Sequence, residues 1–121
     1  MSRLREELLD RVVVFGDRGL QLAEALDEQG VFRRVTDQMS GCFTSVGANT
    51  FEAHEAMSEK DFVKALGIAI KEASECRHWL RIAKRRRYFT EKRLASPEQE
   101  ATELVKVLGA IIFRTKRKPK P

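Results

Sequence analysis

Apolar residues recur every three or four positions along most of this chain, which is the period of an amphipathic α-helix. Four such stripes predict four helices, over about residues 3–29, 32–57, 58–87 and 96–113. The third stripe is the most regular: it alternates steps of four and three from Phe62 to Ala83, as in coiled-coil-like packing inside a bundle. Short connections between helices favour antiparallel neighbours. We therefore predict an all-α fold, an antiparallel up-down-up-down four-helix bundle.

Residues that start or stop helices mark the predicted boundaries. Gly30 ends the first helix, because glycine readily adopts the left-handed conformation found after a helix C-terminus. Ser58 opens a segment that resembles a capping box at the start of the third helix. Ser96 as N-cap and Pro97 as first helical residue predict the start of the fourth helix.

Length and composition limit the class of protein. The 121 residues suffice for one domain with a single core, so we assign residues 1–113 to the bundle and residues 114–121 to a basic C-terminal tail. No apolar run approaches the length of a membrane span, and the first residues do not resemble a signal peptide. Cys42 and Cys76 form no CxxC motif. These features predict a cytoplasmic protein with reduced thiols and no membrane association.

Positive charge is concentrated in the second half of the chain. Residues 1–75 contain 9 Lys/Arg and 14 Asp/Glu, whereas residues 76–121 contain 14 Lys/Arg and 4 Asp/Glu. Such a segment favours an acidic polymer as partner, and Tyr88 and Phe89 beside the basic run provide rings on which bases can stack. The candidate nucleic-acid-binding residues are Arg77, Arg81, Lys84, Arg85, Arg86, Arg87, Lys92, Arg93, Arg114, Lys116, Arg117, Lys118 and Lys120. The alternative is that they only solvate a helix end and a tail.

The sequence contains no constellation typical of an enzyme. Glu75 and His78 form one E-x-x-H, but di-iron bundles require two, and Phe51 stands three places before His54. No G-x-S-x-G, P-loop or dinucleotide fingerprint occurs, and both cysteines lie on core stripes, where thiols are usually inert. We therefore predict no catalytic residue, no metal, no cofactor and no enzymatic activity.

Two adjoining stretches carry a resemblance to a known family. Residues 44–49 read T-S-V-G-A-N and are followed by Glu52 and Ala53. Further matches, in order, are Ser58, Asp61, Phe62, Leu66, Ile68, Ala69, Lys71, Glu72, Ala73, Glu75, Trp79 and Leu80. Over about residues 35–83 the chain resembles the bacterial four-helix-bundle proteins, also called 23S rRNA intervening-sequence proteins, whose signature is T-S-[IV]-G-A-N-x-x-E-A. It departs from their pattern just before the signature and at Ala65.

The resemblance implies a four-helix bundle that assembles as a ring of five. It also implies distant kinship to the accessory variability determinant of diversity-generating retroelements, a basic ring that associates with RNA and a reverse transcriptase. A homopentamer, RNA or DNA, and a reverse transcriptase are therefore the partners that the resemblance suggests. Most of the family has no established biochemical activity.

Several residues of the matched stretches are candidates for a structural motif: Ser45, Gly47, Asn49, Glu52, Lys71, Glu72, Glu75 and Trp79. Gly47 predicts close approach of a neighbouring helix, because glycine inside a helix otherwise costs up to about 1 kcal/mol relative to alanine. Asn49 falls on the apolar stripe and is predicted to fix helix register, with Glu52 or Lys71 as its partner.

A second apolar stripe lies beside the main stripe of the third helix, formed by Ile68, Trp79 and Ile82. A helix that is apolar on two faces buries both, so we interpret this stripe as a subunit interface or as part of the bundle's own seam. The leading functional hypothesis is a homo-oligomeric bundle that binds RNA or DNA phosphates through its basic half. The alternative is a structural or interaction scaffold whose charge only keeps it in solution.

Overall fold

A computed structural model describes residues 3–117, and its regular structure is entirely α-helical. The helices are α1 (Glu6–Glu28), α2 (Arg33–His54), α3 (Glu59–Arg85) and α4 (Glu91–Arg117). Each helix packs against the next along the chain, whereas α4 touches α1 only sparsely. The prediction of an all-helical four-helix bundle is confirmed. None of the helices in the described part of the chain contains a stretch long and apolar enough to cross a membrane.

The regular stripe of α3 lies in the core. Its buried members are Phe62, Leu66, Ala69, Ala73, Cys76, Leu80 and Ala83. Leucine and phenylalanine side chains from the other helices pack around it, and each contributes about 1.5–3 kcal/mol on burial. The helix begins as predicted, because the Ser58 hydroxyl accepts a hydrogen bond from the backbone N–H of Asp61 at 3.1 Å.

The predicted start of the fourth helix is wrong. α4 begins at Glu91, and the Thr90 hydroxyl caps it by accepting a hydrogen bond from the N–H of Arg93 at 3.2 Å. Pro97 lies inside the helix and is buried. A proline there removes one backbone hydrogen bond, but the earlier start brings Leu94 into the core, where it is almost fully buried. Burial of both side chains offsets the missing bond.

Three of the cations predicted to lie in the basic tail belong to α4. α4 continues to Arg117, so Arg114, Lys116 and Arg117 are helical. Thr115 donates a hydrogen bond from its hydroxyl to the carbonyl of Ile111 within the same helix. Lys118 and Lys120, which were also predicted to bind nucleic acid, lie outside the described residues.

A close helix–helix contact joins α1 to α2. Phe43 of α2 is completely buried and lies directly over Gly19 of α1, where a Cβ atom would overlap the phenylalanine side chain. The Phe43 ring stacks on Phe15, with ring centroids 4.6 Å apart. One turn further along α2, a Cβ atom on Gly47 would stand 3.4 Å from the carbonyl oxygen of Val12. The predicted close approach at Gly47 is therefore confirmed.

Asn49 does not link two helices. Its side-chain amide donates to the carbonyl of Ser45 at 2.9 Å and to the Ser45 hydroxyl at 3.0 Å, both within α2. The predicted partners Glu52 and Lys71 are exposed instead. A short polar side chain in a helix always has the carbonyl four residues earlier within reach, which is why this local bond forms.

The second stripe of α3 is only partly covered by this chain. Trp79 and Ile82 are half-buried, and Ile68 is exposed. Trp79 packs against the core, and its indole N–H donates to a Glu75 carboxylate oxygen at 3.3 Å. The stripe is therefore part of the bundle seam at Trp79, while Ile68 is available for a further contact.

A group of ion pairs joins α1 to α4, two helices that otherwise make few contacts with each other. The Arg11 guanidinium donates two hydrogen bonds of 2.8 Å to the Glu100 carboxylate and one of 3.0 Å to Glu103. The hydrogen bond to Glu100 is the main reason that the pKa of Arg11 is raised. Bidentate geometry makes this the best-formed ion pair among residues 3–117, although pairs this exposed contribute only about 0–1 kcal/mol.

We predict that Gly19→Ala lowers the free energy of unfolding by roughly 1–3 kcal/mol, because the added methyl overlaps the buried Phe43 and forces the α1–α2 contact apart. Gly41→Ala is the matched control: it also replaces a helical glycine, but in open space, so it should raise stability by up to about 1 kcal/mol. Urea unfolding followed by circular dichroism measures both. Equal effects of the two variants would contradict the proposed contact.

Candidate nucleic-acid interface

The basic run begins in the turn between α3 and α4. The N–H of Tyr88 donates to the carbonyl of Ala83 at 3.0 Å, and the N–H of Arg87 donates to that of Lys84 at 3.1 Å. This pair of bonds is the Schellman arrangement, and it requires a left-handed residue, which here is Arg87 with φ +57°. The predicted third helix therefore stops two residues early, at Arg85.

The end of α1 shows what is unusual about Arg87. There the same two bonds join Gly30 to Asp27 and Val31 to Leu26, and the left-handed residue is Gly30 with φ +76°. Glycine adopts this conformation at no steric cost, whereas a residue with a Cβ atom pays roughly 1–2 kcal/mol. The chain thus uses the favoured residue at one helix end and an arginine at the equivalent position of another.

The cations of this turn point into solvent. Lys84, Arg85, Arg86, Arg87, Lys92 and Arg93 are all exposed. Among the described residues, Glu91 is the only carboxylate in an ion pair with this group, with its Oε1 3.8 Å from the Lys84 Nζ. The four guanidinium groups therefore retain donors for an external acceptor, and arginine presents them in a fork that matches a phosphate.

The positions of Tyr88 and Phe89 do not suit the predicted stacking of bases on their rings. Phe89 is only 9% exposed and belongs to the core, and the Arg93 guanidinium lies 4.7 Å from its ring centroid. Tyr88 is half-buried, with Arg86 5.9 Å from its ring centroid. The Tyr88 ring packs against the same core. The prediction that bases stack on them is not supported by this geometry.

A second turn lies at the same end of the bundle. Gln29, in the turn between α1 and α2, donates a side-chain hydrogen bond to the carbonyl of Tyr88 at 3.1 Å. Cys42 of α2 and Cys76 of α3 are neighbours in the core. Because these helices are antiparallel, moving nine residues along each one brings Arg33 level with Arg85.

Sequence reasoning missed the residues of this second turn. Arg33 and Arg34 are exposed at the start of α2, and Phe32 before them is 72% exposed. They belong to the acidic half of the chain, so a charge count along the sequence hides them. The predicted up-down-up-down topology could have revealed them, because it places the α1–α2 turn and the α3–α4 turn at the same end of the bundle. We call the following set the basic end: Phe32, Arg33, Arg34, Lys84, Arg85, Arg86, Arg87, Lys92 and Arg93.

Most of the other predicted binding residues that the structure describes lie away from the basic end, although Arg81 adjoins it. Arg77 and Arg81 lie on α3 before it, with Arg81 in an open groove beside Lys84 and Arg85. Arg114, Lys116 and Arg117 lie at the far end of α4. The 21 residues from Arg93 to Arg114 span about 30 Å at ~1.5 Å per residue. The single basic surface expected from sequence is therefore split between two ends.

The two ends differ in net charge. Residues 27–34 and 84–93 contain eight basic and three acidic side chains, a net charge of +5. At the opposite end, residues 3–7, 55–61 and 114–117 contain six basic and five acidic ones, a net charge of +1. The basic end is thus the stronger attractor of an anion in the described structure.

Glu75 and the two cysteines contact other residues of the chain. Glu75 pairs with Trp79, and within residues 3–117 no three His, Cys, Asp or Glu side chains are arranged to hold a metal ion. Cys42 and Cys76 are both buried free thiols. Burial is the main cause that raises the pKa of Cys76, and its neighbour Cys42 adds to it. A thiol with a raised pKa stays protonated and is a poor nucleophile.

Comparisons with known proteins agree with this architecture. The sequence model of the family described as "23S rRNA-intervening sequence protein" matches residues 14–110. A crystal structure of a protein with unknown function from the S23 ribosomal protein family, from Bacteroides thetaiotaomicron, is 37% identical, with a TM-score of 0.82. The match covers 86% of this chain and 96% of that one. Curated proteins contain no match to this chain. The chain belongs to the 23S rRNA-intervening sequence protein family.

Proposed function

We propose that this chain is a non-enzymatic, homo-oligomeric protein that contacts RNA or DNA phosphates through the basic end. The observation that carries the proposal is Arg87, an arginine in a left-handed backbone position where the equivalent turn has Gly30. Unfavourable backbone conformations concentrate at functional sites. A cation that served only solubility would have no need of this position, because glycine there gives a more stable turn.

The charge and shape of the basic end suit phosphate groups. Its arginines leave guanidinium donors without internal acceptors, and two separate turns supply cations to one surface. Most of these side chains project from helix ends and turns. Contacts to phosphates fix position without reading sequence. Binding is therefore expected to depend weakly on sequence and steeply on salt.

The alternative function is a structural or interaction scaffold with no nucleic-acid role. It requires the same fold and the same net charge, so binding measurements are needed to separate the two. A reverse transcriptase is the protein partner that the family resemblance implies, and co-purification with such an enzyme tests that part of the proposal.

We predict that the triple variant Arg85→Ala, Arg86→Ala, Arg87→Ala weakens binding of RNA or DNA and flattens its salt dependence. Each lost phosphate contact on a single strand reduces the log–log slope by about 0.7. The matched control replaces the cations of the opposite end, Arg114, Lys116 and Arg117, with alanine, and it should reduce binding much less. Fluorescence anisotropy over a salt series measures both. If the wild-type protein binds neither RNA nor DNA at low salt and micromolar concentration, the scaffold alternative stands.

Arg87→Gly separates binding from stability. Relief of the left-handed strain, minus the entropy that glycine gains in the unfolded chain, should raise the free energy of unfolding by about 0.5–1 kcal/mol. The same variant should weaken nucleic-acid binding, since one guanidinium is lost. Arg87→Lys, which keeps both strain and charge, is the control and should bind nearly as well as the wild type. A glycine variant that is more stable and binds equally well would remove the main support for the proposal.

Two features support the homo-oligomer. An apolar groove between α1 and α2 is lined by Val13, Gly16, Leu20 and Phe51, three of which are large exposed side chains. α1 contains seven acidic and two basic residues. Residues 59–87, by contrast, contain four acidic and nine basic residues. A head-to-tail contact between α1 of one copy and α3 of the next would cover the groove and pair opposite charges. The ring of five is implied by the family resemblance.

We predict that light scattering on the native protein reports several times the chain mass of 13.9 kDa. Val13→Glu in the groove and Ile68→Glu on α3 should each lower that mass, because both place a charge in the proposed contact. Lys106→Glu, an exposed change on α4, is the control and should leave it unchanged. A monomeric wild-type protein at micromolar concentration would contradict the oligomer.

A further inference from the structure

We propose that the basic end accepts single-stranded rather than duplex nucleic acid, with the Phe32 ring as the surface on which an unpaired base stacks. The inference rests on the proposed function and adds the class of ligand. Its starting point is a large aromatic side chain left 72% exposed at the end of the bundle with the higher positive charge.

Phe32 occupies a position where its side chain does nothing for the fold. It is the N-cap of α2, and no side chain caps that helix. Serine, threonine, aspartate or asparagine would accept a hydrogen bond from the first turn, as Ser58 does for α3 and Thr90 for α4. A phenylalanine there offers no such acceptor, so the N–H of Val35 donates to the backbone carbonyl of Phe32 at 2.9 Å instead, and the ring stays exposed.

The surroundings of the ring favour a nucleic acid over a protein partner. Arg33 and Arg34 follow it directly, and the antiparallel pairing of α2 with α3 brings Arg85 to the same level. Neighbouring helix axes lie about 8–10 Å apart, so Phe32 and these arginines lie at the same end of two adjacent helices. An aromatic face beside phosphate-binding cations is the arrangement that proteins use to hold single strands.

The exposed Phe32 ring also favours single strands over duplexes as the ligand. A stacking ring needs a base with a free face, and the bases of a duplex are stacked on each other. The other aromatic residues of this end, Tyr88 and Phe89, are packed into the bundle with arginines over their rings. Phe32 is therefore the aromatic side chain of the basic end that has an open face.

The test compares Phe32→Ser with wild type on two probes, a short oligouridylate and a blunt mixed-sequence RNA duplex. Serine restores a capping side chain, so the variant should melt no earlier than wild type. Its affinity for the oligouridylate should fall about 5- to 150-fold, the range measured when stacked aromatics are removed, while weak duplex binding through the arginines stays within about two-fold. Phe32→Tyr keeps the ring and should bind the single strand like wild type.

Phe113→Ser is the matched control, because Phe113 is 59% exposed on α4 at the opposite end and also has an arginine over its ring. It should leave both affinities unchanged. Wild type that prefers the duplex, or Phe32→Ser that binds the single strand as tightly as wild type, overturns the inference but leaves phosphate binding intact. A smaller oligomer for Phe32→Ser with unchanged binding identifies a subunit contact instead, which also overturns it. Wild type that binds neither probe overturns the proposed function and this inference together.

Discussion

The close approach of α1 and α2 is the contact on which the arrangement of the molecule depends. Gly19 leaves no room for a Cβ atom under Phe43, and Gly47 meets the backbone of α1 at van der Waals distance. Two backbones this near each other fix the relative rotation of the helices, because a small turn of either one would drive the Phe43 side chain into α1. That rotation in turn sets the position of the turn from Gln29 to Phe32, which connects the two helices. The family signature thus serves packing at Gly47, and Phe32 lies roughly 20 Å away toward the start of α2, at ~1.5 Å per residue.

The topology of the bundle decides which charged residues lie near one another. Along the chain, positive residues form one long basic half, but the bundle divides them between two ends about 30 Å apart and recruits Arg33 and Arg34 from the acidic half. At physiological salt, charges separated by more than about 8 Å of solvent hardly reinforce one another. The local grouping of charges, more than the total, therefore decides where an anion is attracted. α1 keeps the excess of acidic residues.

Arg87 and Phe32 are both unfavourable residues for the helix-terminal positions that they occupy. Each stands at a helix terminus where another residue type is more stable, and in each case the same chain uses the better residue elsewhere: Gly30 after α1, Ser58 before α3. Together the two positions cost on the order of 2 kcal/mol, a notable fraction of the 5–15 kcal/mol by which domains are stable. Stability alone gives no reason for either choice. Both residues lie at the same end of the bundle, beside the same cluster of arginines.

The sequence by itself determined the helices, the buried stripe of α3 and the Ser58 cap, because helical periodicity and capping depend on residues close together in the chain. It also carried the family signature and the need for a close contact at Gly47. It failed at Pro97, where the local start signal was weaker than the burial of Leu94 together with the Thr90 cap, and at Asn49, whose partner is its own helix. Only the tertiary structure revealed that Phe89 is buried, that Phe32 is exposed, and that Arg33 lies level with Arg85. Burial of a ring and proximity between distant residues depend on how helices pack in three dimensions, which no local pattern encodes.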